Sequence, residues 1–205
     1  MVLGAMQQRV FGWWPVNERM CRLRNRGRFF NLSIINVHSP HLGSTDDEKE
    51  LFFTQLEKVY DRCPQHDVKI VIGDLNAQVG QEEAYKPTIG SFSAHQLIND
   101  NGIRLINFAS SKHMSFSSSF FQHAPRFSYI WRSPLQTYSR IDHVLIDGRH
   151  FSNIIDVKTY RCANVDSDHF LVMVKLRQKL SVVNNQRCKP TPRLYLDRLR
   201  SADVA

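Results

Sequence analysis

Apolar residues recur with two different periods along the chain, and the switches between them divide it into elements. From Arg28 to Ser39 (RFFNLSIINVHS) β-branched and aromatic residues crowd a run that stops before Pro40, which predicts a buried strand. The period then turns helical. Leu51, Phe52, Leu56 and Val59 recur on one face, Thr45 with Glu48 makes a capping box, and Asp46 and Asp47 suit the positive end of the helix dipole. That helix should end near Cys63-Pro64, because proline pushes the residue before it out of helical geometry. Val68 to Leu75 (VKIVIGDL) is apolar apart from Lys69, as in a central strand covered on both faces, and it gives way to polar residues at Asp74 and Asn76.

Residues 77–92 hold Gly80, Pro87 and Gly90 and few apolar positions, so they read as a loop. A helical stretch follows from about Ser93 to Asn107, interrupted near Asn101-Gly102. Strands are then expected at Met114–Phe121, Phe127–Trp131, Ile141–Ile146, Ile155–Ala163 and Phe170–Leu176. Late strands without intervening helices predict an α/β layered β-sandwich flanked by helices rather than a doubly wound sheet. The expected organisation is an edge segment over residues 1–27, a domain over 28–180, and a basic, proline-containing tail or linker over 181–205.

Composition narrows the class. With 42% apolar residues in 205, the chain is able to bury a sizeable core, and charged or amide residues interrupt every stretch before it reaches the roughly 18 apolar residues of a membrane span. Its N-terminus lacks the pattern of a secretory signal, and Cys21, Cys63, Cys162 and Cys188 lie far apart, which argues against a zinc ribbon or redox motif. An intracellular protein, nuclear or cytoplasmic, with no membrane partner and no small-molecule cofactor is therefore expected. The net charge of +8 is unevenly spread: residues 1–30 carry +5, residues 31–176 carry −2 and residues 177–205 carry +5. Basic flanks around a near-neutral centre suit contact with phosphates, although solvated basic ends are common in themselves.

Three polar clusters stand at the ends of apolar strands: Gly73-Asp74-Leu75-Asn76, Ile141-Asp142-His143 and Asp166-Ser167-Asp168-His169. Strand ends are where a sheet fixes side chains while loops leave them open to solvent. Taken singly each has a plain alternative, since Asp74 and Asn76 suit a turn, Asp142 an amide contact, and Asp168-His169 a surface pair. Taken in order, strand-G-D-L-N, I-D-H-V-L-I and S-D-H-F-L-V resemble the endonuclease/exonuclease/phosphatase superfamily over residues 28 to 176. INVHSPH, GDLNAQVG, NGIRLINFA, IDHVLID and VDSDHFLVMVKL bring the resemblance closer to the endonuclease domain of RTE-type non-LTR retrotransposons (LINE elements) and the craniofacial development protein 2-like family.

The resemblance implies metal-dependent phosphodiester hydrolysis, a DNA endonuclease with Mg²⁺ as cofactor and Mn²⁺ as a substitute. His169 would be the base or charged stabiliser beside the phosphate, Asp142 would orient it, and Asp74 would position or deprotonate water. Asn76 would donate to a phosphate oxygen, Asp168 would ligate the metal or hold one of its ligands, and His38, in place of the Tyr of a Y-x-P motif, would contact phosphate unless it serves only as a turn residue ahead of Pro40. His38 and His41 as a metal pair is a weak motif, Tyr129 and Trp131 suit either the core or a DNA cleft, and His143 should face away from Asp142. The family's W-N-x-R-like and Q-E-T or S-E-T-like motifs do not occur, and Glu18 is no substitute for the latter's Glu. An N-terminally truncated domain is thus expected, with an exposed hydrophobic sheet edge, one metal-binding carboxylate fewer, and weak or lost activity. Two alternatives stand beside it: an inactive nucleic-acid-binding remnant, and a phosphatase or phosphodiesterase of the same fold.

Overall fold

Backbone pairing gathers six strands into one mixed sheet. The computed structural model describes residues 4–124, 131–132, 138–160 and 167–178. The strands are β1 (Val10–Asn17), β2 (Met20–Asn25), β3 (Leu32–His38), β4 (Val68–Asp74), β5 (Met114–Phe116), β6 (Trp131–Arg132), β7 (Tyr138–Ser139), β8 (Asp142–Asp147), β9 (Ile154–Tyr160) and β10 (Leu171–Leu176). Among the described residues the α-helices are α1 (Asp46–Asp61) and α2 (Asp100–Ser111). The large sheet runs β1-β2-β3-β4-β8-β5, while β9 with β10 and β6 with β7 form separate antiparallel pairs. Among the described strands only β3 and β4 pair in parallel, and α1 makes the crossover that a parallel pair requires.

Alternation along β3, β4 and β8 assigns each residue to one of two cores. Ile35, Val37, Val71 and Leu145 point to α1 and α2, where Leu56, Leu105 and Phe116 are fully buried. Leu32, Ile70, Val144 and Ile146 point the other way, toward Ile154 and Val157 of β9 and Val172 and Val174 of β10. The charge inside β4 is also accounted for: buried Lys69 lays its ammonium 4.3 Å from the Tyr60 ring centroid and donates to the Tyr60 carbonyl. Asp67, just before β4, takes a bidentate bond from Arg24 and another from Ser33.

Helix α1 starts where the capping box places it, with Thr45 and Glu48 bonded reciprocally. Several expectations need correction. Strand β3 starts at Leu32 rather than Arg28. Residues 93–99 are not helical, because Asn99 caps α2 by accepting the Gly102 N–H, so Asn101-Gly102 opens the helix instead of interrupting it. Strand β5 stops at Phe116, and Ser117–Ser119 turn into a short 3-10 helix. Within the expected edge segment over 1–27, residues 10–25 form the β1–β2 hairpin, with β1 at the end of the six-stranded sheet. The expected strand over 127–130, the C-terminal part of the Ile155–Ala163 strand, Asp166 and the tail over 181–205 lie outside the described residues. Among the described residues β10 pairs with β9 alone, and Leu171 and Met173 on it are exposed. No helix among them is long and apolar enough to cross a membrane.

Candidate active site

Strand register alone builds most of the site. His38 pairs with Asp74 across β3–β4, and Asp74 pairs with Asp142 across β4–β8, so three polar side chains form a row on the β9–β10 side of the sheet. Gly73 permits the close packing before Asp74: its φ is +134°, and a Cβ there would sit 1.9 Å from the Val37 carbonyl oxygen. Leading into β10, His169 completes the group, its Nδ1 lying 3.2 Å from Asp142 Oδ2 and its Nε2 4.0 Å from Asp74 Oδ2. His38 Nε2 stands 3.8 Å from the same Asp74 oxygen.

Asn76 ends the first of the three polar clusters in a left-handed conformation at φ 48°, which asparagine tolerates. Its N–H donates to Asp74 Oδ1 at 2.9 Å, so the turn-forming alternative for this pair holds alongside the site geometry. The Asn76 side-chain amide donates to the Ser39 carbonyl, tying the loop after β4 to the loop after β3. Asn99 and Asn101 both donate to the Asn76 carbonyl, and Asn101 reaches the Pro40 carbonyl as well. Sequence reasoning did not single out these two clamps; the only signal was the cap-like Asn99-Asp100-Asn101-Gly102.

Asp168 does not join the row. Its carboxylate accepts the Trp131 indole N–H at 2.7 Å, and that bond holds its carboxyl below the usual range. Trp131 also forms an isolated antiparallel bridge with His169. His143 faces away from Asp142 as alternation requires; buried, it lies 2.7 Å from the Ala77 carbonyl through Nε2 and packs edge-on to Phe116. Glu18 is exposed beside Arg19 at the β1–β2 turn.

Burial pushes the Asp142 carboxyl above its ordinary range, opposed by the charge and hydrogen bond of His169 and reinforced by the negative charge of Asp74. Its Oδ1 is buried without a hydrogen-bond partner among the described residues. Asp74, Asp142 and His169 each offer one ligand atom, all within 4.8 Å of one another. The row divides two clefts. One of about 390 Å³ lies between the sheets, lined by Ile72, Val144, Phe170 and Val172. The other, of about 350 Å³, opens past Asn76, Gln78, His41 and Trp131.

A mixed sheet covered by helices on one face and a small sheet on the other defines the endonuclease/exonuclease/phosphatase fold, and the chain belongs to that fold class. Among curated proteins it is similar to craniofacial development protein 2. It is 32% identical to the Tragulus javanicus protein over 87% of this chain and 33% identical to the Bos taurus protein over 82%. The chain spans 31% and 28% of those relatives' lengths. No family model matches it. Two solved structures share the fold. One is the endonuclease domain of TRAS1, a telomere-specific non-LTR retrotransposon (TM-score 0.54, 14% identity, 78% of this chain and 62% of that one). The other is the 3'-5' exonuclease NExo from Neisseria meningitidis (TM-score 0.57, 19% identity, 78% and 65%).

Proposed function

We propose that the row of Asp74, Asp142 and His169 hydrolyses phosphodiester bonds in DNA, with nicking of the retrotransposon-endonuclease type as its specific activity. The observation that carries this reading is an imidazole set between two carboxylates at strand ends, open to a cleft on each side. Asp142, bonded to Nδ1, orients His169 so that Nε2 faces the attacking water or the scissile phosphate. Asp74 holds that water, with its other oxygen occupied by the Asn76 N–H. His38, exposed beside Asp74, and the Asn76 amide are the donors proposed for phosphate oxygens.

The residues present fit a divalent cation: two carboxylates approach one another, and Asp142 Oδ1 is buried without a partner among the described residues. Mg²⁺ suits the oxygen donors and Mn²⁺ also accepts the imidazole nitrogen, with Asp74 and Asp142 as the principal ligands. When bound, such an ion neutralises charge on the phosphoryl oxygens and lowers the pKa of water. With Asp168 engaged by Trp131, the site offers few ligands, so the activity is expected to be weak. The test is supercoiled plasmid incubated with the purified chain in Mg²⁺ or Mn²⁺, beside His169→Ala and an EDTA control. Open-circular product from the wild type alone supports the reading, and equal product in all lanes removes it.

A further inference from the structure

The β1–β2 hairpin carries chemistry that the hydrolytic row does not use. Six arginines stand against one acidic residue in the first 30 positions. Arg22, Arg24 and Arg26 fall at alternate positions, so they share one side of an extended chain at intervals of about 6.6 Å. Aromatic rings brace them. The Arg22 guanidinium lies 4.2 Å from the Trp14 ring centroid, and Arg24 and Arg26 lie 4.8 and 6.0 Å from that of Phe11. Register sets Trp14 opposite Arg22, and the indole lies across Gly12, where any Cβ would overlap it.

Strand β1 is poorly suited to pairing with another strand. It contains Pro15 and two register shifts, features that blunt a sheet edge, yet Phe11 and Trp14 remain 46% and 41% exposed. What the face does present is planar cations held in place by rings, and stacked guanidiniums match phosphate geometry with little entropy left to lose. The Arg24–Asp67 pair fastens this row to the fold, while Arg9, Arg26 and Arg28 are exposed and supply excess positive charge. Because Arg22 pairs with Ile35, the face lies on the helix side of the sheet, opposite the hydrolytic row.

We propose that this hairpin, together with the exposed Arg9, Arg26 and Arg28 at its two open ends, is a second nucleic-acid contact, gripping the phosphate backbone of a single DNA strand independently of the hydrolytic row. The choice of DNA rests on the function proposed above, and the choice of phosphate rests on the hairpin. The test is fluorescence anisotropy of a labelled single-stranded 30-mer across a salt series, with wild type, His169→Ala, and a triple variant Arg9→Ser/Arg26→Ser/Arg28→Ser. Each lost phosphate contact removes about 0.7 from the log–log salt slope, so the triple variant should bind with a slope smaller by about 2 and with about tenfold lower affinity at 0.1 M salt. A triple variant matching wild type in slope and affinity, or a wild type that does not bind, overturns the proposal. Plasmid nicking by the triple variant is read separately: binding without nicking in every protein defeats the hydrolase reading and leaves the surface standing.

Discussion

The same three strands serve two unlike faces. Toward the helices, β3, β4 and β8 meet a closed core in which Ile35, Leu56, Leu105 and Leu145 are inaccessible to solvent. On the other face they meet β9 and β10, and the packing gives way to a cleft beneath Asp74, Asp142 and His169. The difference separates tasks: one face supplies cohesion, while the other sacrifices packing to leave charged groups beside a space a substrate can enter.

This contrast can be broken or sharpened by substitution. The largest effect is expected from Asp142→Asn, which removes the carboxylate orienting His169 and should lower the nicking rate by about 10²- to 10⁴-fold in a plasmid assay. Leu56→Ala on the closed face should cost about 2–5 kcal/mol in denaturant unfolding, because the helices can fill the void only in part.

A third prediction concerns acid. Burial holds the His143 imidazole down at about 3, against an ordinary 6.5, so the folded protein binds fewer protons than the unfolded chain between those values. The contribution is intact above pH 6.5 and is lost as pH falls toward 3, by up to about 1.4 kcal/mol per unit. His95, also held down by burial, acts in the same direction. His143→Gln should lower stability at neutral pH but flatten its decline between pH 7 and pH 5, read from melting temperatures. Smallest of all, Val174→Ala on half-buried β10 should cost about 1 kcal/mol by the same denaturant measurement.

How much the sequence disclosed follows the same division. Helix α1 was legible because its signals are local, with Thr45 and Glu48 three residues apart. Asp74, Asp142 and His169 were legible because each stands at one end of an apolar run, Asp74 closing β4, Asp142 opening β8 and His169 leading into β10. The β1–β2 hairpin was less so, since its aromatic and arginine residues stack on one another and leave no clean alternation of buried and exposed positions. The Asn99 cap was masked by a helical pattern that begins earlier. Asp168 illustrates a further limit: its neighbour His169 does reach the row, but which way the Asp168 carboxylate turns depends on Trp131, 37 positions away.

The most direct test of the central claim measures stability and nicking together on Asp74→Asn, beside Leu56→Ala. If the polar row serves chemistry rather than cohesion, Asp74→Asn melts at or above the wild-type temperature, relieved of one of two neighbouring carboxylates, and does not nick. A variant that melts as low as Leu56→Ala while still nicking plasmid would contradict the account.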